Sequence, residues 1–337
     1  MFELDRSAPF YVAGHRGMVG SAVWRHLKSQ GFTNLVGRTS SELDLRDREA
    51  TFAFMRGVQP RYCVLAAARV GGIMANATYP VEFLSDNLQI QVNVMDAARD
   101  VGVERLLFLG SSCIYPRDCP QPIKEEYLFT GPLEPTNEAY AIAKIAGIKQ
   151  VQAVRKEHGL SWISAMPTNL YGPGDTYDLE SAHVLPALIR RFHEARQTGA
   201  PSVTLWGTGT PRREFLHVDD LARACLLLLE RYDDGLPINV GTGHDIPIDG
   251  LARLVAEALE YDGTIRWDTS KPDGTPRKAL DISRAQRLGF DPGIDIRDGI
   301  RRTCDSYTAD LRSEGATRSA RIQRLGPVSG SEGAVPT

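Results

Sequence analysis

Tyr140 and Lys144 stand four residues apart in the stretch Tyr140-Ala141-Ile142-Ala143-Lys144. The run from Asn137 to Gln150 holds Ala, Ile, Lys and Gly without a turn signal, so it reads as a helix. Residues four apart share a helical face, which predicts that the phenol and the ammonium lie side by side. A neighbouring cation favours the phenolate, so the tyrosine is expected to titrate below its free value of about 10. A tyrosine tuned in this way trades protons with a carbonyl or alcohol oxygen near neutral pH. The spacing alone is common by chance, and an ordinary exposed helix carries it equally well. The elements around it must decide.

Those elements alternate. Phe10 to Ala13 is a short apolar run, then Met18 to Gln30 has helical periodicity. Strands are expected at 34–37, 62–68, 105–109 and 162–166, with helices at 47–57 and 81–101 between them. The strands are continuously apolar. This predicts an α/β fold, a Rossmann-type doubly wound parallel sheet covered on both faces. After Tyr171 the pattern becomes less regular, with Pro and Gly clusters at 171–174, 206–211 and 271–276. Helical patches at 183–198, 219–231 and 248–259 alternate there with short strands at 203–206, 238–240 and 264–267. A smaller mixed α/β substrate-binding region is expected, with pocket walls built from loops. The expected division is 8–172 for cofactor binding, with about 214–244 returning to it, and 173–312 mostly for substrate. Residues 313–337 are rich in Ser, Gly, Arg and Ala, and read as a disordered tail.

The first strand leads into Gly14-His15-Arg16-Gly17-Met18-Val19-Gly20 at the start of the first helix. Glycines at such a junction let the backbone approach a pyrophosphate, and the helix N-terminus stabilises its charge. The second strand ends at Arg38, followed by Thr39, Ser40 and Ser41. An arginine there suits a ribose 2′-phosphate, whereas NAD sites place an acid, so NADP(H) is the expected cofactor and Arg16 could assist. The first acids, Glu42 and Asp44, come later. The fourth strand runs into Gly110-Ser111-Ser112-Cys113. Ligands of open α/β sheets bind beyond the carboxyl ends of the strands, so these residues should enter the cleft. Ser111 could hydrogen-bond a carbonyl that Tyr140 also contacts, although a serine at a strand end is also a common turn residue.

Composition narrows the class. The net charge is -3, which gives no electrostatic reason to bind nucleic acid or an anionic membrane. No apolar run reaches the length of a membrane span, and 1–9 lacks the apolar core of a signal peptide, so a cytoplasmic setting is expected. The five cysteines are scattered without a C-x-x-C, so no metal site or disulfide framework is expected.

The glycine loop, Ser111 ahead of Tyr140 and Lys144, and the block Arg213 to Asp220 together resemble the extended short-chain dehydrogenase/reductase superfamily. Further blocks, Val70 to Ile73, Leu109 to Pro116, Leu133 to Asn137, Met166 to Pro173 and Lys271 to Arg277, narrow the likeness to the GDP-L-fucose synthase family. The blocks cover roughly residues 10 to 305. The resemblance implies a two-stage reaction on GDP-4-keto-6-deoxy-D-mannose, with epimerisation at C3 and C5 and then reduction of the C4 ketone by NADPH. It implies catalytic roles for Ser111, Cys113, Tyr140, Lys144 and His183, with Cys113 and His183 as the epimerising pair. It implies cofactor contacts along the glycine loop, at Arg38, Leu109, Gly110, Ser111, Ser112, Lys144 and His183, and at Pro167, Thr168, Asn169 and Leu170 beside the nicotinamide. Arg191, Trp206, Arg213, Asp273 and Lys278 are implied on the nucleotide sugar. The helices at 81–101 and 137–157 resemble the pair that forms a homodimer interface in the superfamily. Two rivals stay open. An NAD-retaining nucleotide-sugar 4-epimerase or 4,6-dehydratase would prefer an acid after the second strand. A non-catalytic relative would typically lack the Tyr or the Lys.

Overall fold

The structure is a computed structural model, and it describes residues 1–179, 181–271 and 273–314. The elements in chain order are β1 (Phe10–Ala13), α1 (Met18–Ser29), β2 (Leu35–Val36), α2 (Arg48–Val58), β3 (Tyr62–Leu65), α3 (Ile73–Thr78), α4 (Pro80–Asp100), β4 (Arg105–Leu109), α5 (Glu138–His158), β5 (Ile163–Pro167) and β6 (Asn169–Tyr171). Then follow α6 (Val184–Thr198), β7 (Ser202–Trp206), β8 (Arg212–His217), α7 (Val218–Arg231), β9 (Ile238–Val240), β10 (Asp245–Pro247), α8 (Ile248–Ala258), β11 (Thr264–Asp268), β12 (Arg277–Lys278), α9 (Ser283–Arg287) and α10 (Ile296–Glu314).

Six strands form one parallel sheet in the order β2-β1-β3-β4-β5-β9. Phe10 pairs with Leu35 on one side and Tyr62 on the other, so the chain reverses direction across the sheet at β1. In α/β sheets this switch point opens a crevice at the carboxyl ends of the strands. Every residue of β1, β3, β4 and β5 is buried, because helices cover both faces. Helices α1 and α7 pack together on one face, and α2, α4 and α5 on the other.

A third core lies among α6, α8, α10 and β7. Its framework includes β8, which pairs antiparallel with β10 and parallel with β12 and β6. The polar sequence Arg212-Arg213-Glu214 conceals β8, yet its last four residues are buried by packing against neighbouring strands. The first two residues of the expected tail, 313 and 314, close α10. The rest of that tail lies outside the described residues.

One buried cation locks the sheet to its cover. Arg105, 2% exposed at the start of β4, donates to the carbonyls of Leu228 (3.2 Å), Leu229 (3.0 Å), Tyr232 (2.7 Å) and Ser161. Three of these belong to the last turn of α7 and the residue after it, where helix carbonyls run out of internal partners; Leu228 O keeps one, the Tyr232 N–H at 2.9 Å. Arg105→Met is expected to cost about 3 kcal/mol by stranding them. The check is a lower urea midpoint with an unchanged slope.

Candidate active site

A cleft of about 1280 Å³ opens at the carboxyl ends of the parallel strands and runs towards β8 and β12. Its cofactor end is built by the glycine loop. Gly14 has φ of +82°, and a Cβ there would come within 2.9 Å of the Ala67 backbone, while a Cβ on Gly20 would collide with the Gly14 carbonyl. Only glycine permits this tight packing. Gly17 caps α1 without a side-chain hydrogen bond, so the first-turn N–H groups of the helix are not taken by a cap. Such an N-terminus favours an anion. Gly14, Arg16, Gly17, Met18, Val19 and Gly20 all line the cleft, as do Arg38, Thr39 and Ser41. The side chain of His15 is elsewhere, stacked on Trp24 at 5.3 Å and pressed against Gly37.

The chemical centre forms where β4 ends. Ser111 caps the short turn Ser112–Ile114, and its Oγ accepts from the Cys113 N–H at 3.3 Å. Tyr140 projects from the first turns of α5 beside Ser111 and Cys113, with its ring edge-on to Phe83. The expectation that its phenol titrates low does not hold. Burial pushes it above its ordinary value, the nearby Cys113 adds to that, and the Ser111 hydroxyl opposes them. Lys144 does not offset the burial. Its ammonium donates to the Leu109 carbonyl at 2.9 Å and lies 5.7 Å from the Tyr140 ring centroid. The i, i+4 spacing gives the shared face, but the lysine head turns to the strand end. Burial draws Lys144 itself down to about 8.

Asn137, just before α5, donates from Nδ2 to the Cys113 sulfur at 3.3 Å. His183 occupies the N-cap position of α6 but makes no capping bond with its side chain. It lines the cleft. Desolvation by the surrounding protein lowers its imidazole from the usual value. The stretch Pro167 to Leu170 also lines this part of the cleft, with Leu109, Gly110 and Ser112.

At the far end, Arg213 of β8 and Lys278 of β12 are register partners on adjacent strands. Both line the cleft. Arg213 is braced by the carbonyls of Thr275 (2.5 Å) and Arg212 (2.9 Å). Asp273 lines the cleft as well, and accepts from the Thr208 N–H at 2.8 Å and its hydroxyl at 2.7 Å. Arg191, half-buried on α6, and Trp206, at the end of β7 beneath Lys271, are not cleft-lining groups.

A buried polar frame joins the two ends. The fully buried Glu214 carboxylate accepts from the N–H groups of Thr242 (2.5 Å), Gly243 (2.7 Å) and Leu280 (2.7 Å). The segment that follows Lys278 also pairs with the loop downstream of Cys113. Ile123 N–H donates to Ala279 O, and Asp281 N–H to Ile123 O, each at 2.8 Å. Asn239 completes the frame by accepting from the Tyr115 hydroxyl (2.6 Å) and donating to Ile123 O (2.9 Å) and Asp281 O (3.1 Å).

Two cleft residues were not singled out by sequence. Asn137 sits in a recognisable block, but nothing in the block says that it faces a sulfur. Asp175 has one carboxyl oxygen bonded to the Thr176 N–H at 2.7 Å and the other buried without a partner, and burial pushes it up to about 7. Among the described residues no cluster of three or more His, Cys, Asp or Glu is placed to hold a metal ion, and no helix is long and apolar enough to cross a membrane.

Residues 10–241 match the NAD dependent epimerase/dehydratase family. The chain is 57% identical over 307 residues to GDP-L-fucose synthase 1 of Arabidopsis thaliana, covering 91% of this chain and 95% of that protein. It is 49% identical to the GDP-L-fucose synthase of Escherichia coli strain K12, covering 87% of this chain and 94% of that one. Among solved structures, a GDP-L-fucose synthetase from Naegleria fowleri bound to NADP superposes with a TM-score of 0.86 at 29% identity, covering 93% of this chain and 96% of that one. With its six-stranded parallel sheet and glycine loop, the chain belongs to the NAD dependent epimerase/dehydratase family and, within it, to the GDP-L-fucose synthases.

Proposed function

We infer that the chain converts GDP-4-keto-6-deoxy-D-mannose to GDP-L-fucose by epimerising C3 and C5 and then reducing the C4 ketone with NADPH. The observation that carries this reading is that Ser111, Cys113, Tyr140 and His183 line one cleft between a phosphate-type glycine loop and a pair of cations. C3 and C5 both adjoin the C4 carbonyl, so their protons become acidic when charge on that oxygen is stabilised. Ser111 and Tyr140 are the donors for it. Inversion needs one group to remove a proton and another to return it on the opposite face. Cys113 and His183 enter the cleft from different elements, the β4 loop and the start of α6, and we assign them that pair of roles. When bound, NADPH supplies the hydride to C4. Tyr140, kept protonated by its surroundings, gives the proton to the resulting alkoxide. Lys144 would hold the cofactor ribose from its place beside the end of β4.

Residues 8–172 with about 214–244 are assigned to the cofactor, and the rest up to 312 mostly to the sugar nucleotide. Support comes from β9, which completes the main sheet, and from α7, which packs on α1. For the diphosphate we assign Arg213 and Lys278. Arg213→Ala is expected to raise KM for the sugar nucleotide about tenfold with a smaller change in kcat, since it removes one charge-assisted contact. Steady-state kinetics with NADPH saturating is the check.

A homodimer built on α4 and α5 is part of this reading. Its support is the exposed apolar side chains Val81, Val92 and Ile142 on those helices, and light scattering decides it. A cytoplasmic setting is supported by five free cysteines, as a reducing compartment favours; localisation of a tagged chain tests it. For the reaction itself the test is absorbance loss from NADPH with the keto sugar, together with identification of the product. An absence of NADPH oxidation would sink the reading.

A further inference from the structure

Arg16 and Arg38 reach the cofactor end of the cleft from two elements, the glycine loop and the end of β2. Arg38 is laid over the Phe54 ring at 5.3 Å and donates to the Gly37 carbonyl at 2.9 Å. The donors that follow it are already engaged. The Glu42 carboxylate accepts from the Thr39 N–H at 2.7 Å and from the Thr39 hydroxyl at 2.8 Å. The Ser41 hydroxyl lies 2.9 Å from the same Thr39 oxygen. An anion therefore sits on the Thr39 N–H and hydroxyl, two of the donors that stand beside Arg38. The two Thr39 hydrogen bonds hold the Glu42 carboxyl below the usual range, and the Arg38 and Arg16 guanidiniums add to this. His15, behind the glycine loop, also feels the Glu42 charge.

A ribose 2′-phosphate would seek this same set, two guanidiniums, an N–H and two hydroxyls, and it would bring about two negative charges of its own. Cofactor without that phosphate offers a neutral 2′-hydroxyl, which can donate to a carboxylate.

We propose that Glu42 is a built-in competitor for the 2′-phosphate, holding the Thr39 donors until NADPH displaces it and so moderating the preference for NADPH over NADH. The proposal rests on the NADPH reading above. A plainer role exists for the same geometry. Thr39-Ser40-Ser41-Glu42 fits the capping-box pattern, in which Glu42 only closes a turn. The roles separate in Glu42→Gln, whose amide oxygen can still accept from Thr39 while the charge is gone.

The experiment is calorimetric titration of wild type and E42Q with adenosine 2′,5′-bisphosphate and with 5′-AMP at low ionic strength. E42Q is expected to bind the bisphosphate about fivefold tighter, the scale of one exposed like charge removed, and 5′-AMP no tighter. The gain should shrink in about 0.5 M salt through screening. Weaker or unchanged bisphosphate binding, or an equal shift for both probes, overturns the proposal and leaves the turn cap. Equal affinity of the wild type for the two probes overturns the NADPH reading at Arg38 itself, and the proposal falls with it.

Discussion

Replacing Tyr140 by phenylalanine is expected to slow NADPH oxidation with the keto sugar by about 10²- to 10⁴-fold, the usual range for losing a positioned acid. NADPH binding should be nearly unchanged, because the cofactor end of the cleft is built by the glycine loop and Arg38. The reduction leaves an alkoxide at C4, and the phenol is the group assigned to give it a proton. The environment of Tyr140 supports this role more than that of a ready phenolate. Burial and Cys113 hold the proton on the oxygen, so the group waits as an acid. Lys144 adds a pH signature. Burial draws it down to about 8, so it loses its charge as pH rises past that value. Reduction should therefore fall on the alkaline side of about pH 8 in wild type. Stopped-flow absorbance across pH measures both effects. A Tyr140→Phe enzyme that reduces at the wild-type rate would remove the tyrosine from its role.

Cys113→Ser separates the first stage from the second. It is expected to cut solvent-deuterium entry at C3 and C5 by about 10²- to 10⁴-fold, because a serine hydroxyl is a far weaker base partner than a thiol. Asn137 Nδ2 donates to the sulfur at 3.3 Å and so orients it. The exchange is followed by NMR on the substrate in D₂O, with the cofactor oxidised so that reduction is blocked. Tyr140→Phe should retain more exchange than Cys113→Ser, since Ser111 still faces the enolate oxygen. Unimpaired exchange in the cysteine variant would show that another group takes the protons.

The parts of this site that could be read from sequence are those set by local backbone rules. Gly14 to Gly20 reads as a phosphate loop because its spacing is tied to a strand before it and a helix after it. The buried strands read easily because each residue is apolar, as in Tyr62-Cys63-Val64-Leu65. Elements whose stability comes from elsewhere were hidden. Helix α3 is fastened by a tertiary bond, Gly72 N–H to Ser181 O at 2.7 Å, and by its own Asn76 side chain, which donates back to Gly71 O at 2.7 Å. Helix α10 is mostly polar and presents only a narrow buried stripe that includes Ile300, Cys304 and Tyr307. Side-chain direction was the other limit. Spacing put Lys144 on the face of Tyr140, but nothing in it said that the ammonium would choose the Leu109 carbonyl.

The strand that carries Lys278 is stitched through Ala279, Leu280 and Asp281 to Glu214 on one side and to Ile123, on the loop downstream of Cys113, on the other. The jaw that would clasp the diphosphate and the jaw that would work on the sugar ring are thus fixed to one piece of backbone. The cleft behaves as a caliper of set opening. A sugar joined to its base through a single phosphate, seated at the nucleotide end, would hold C3 and C5 short of Cys113.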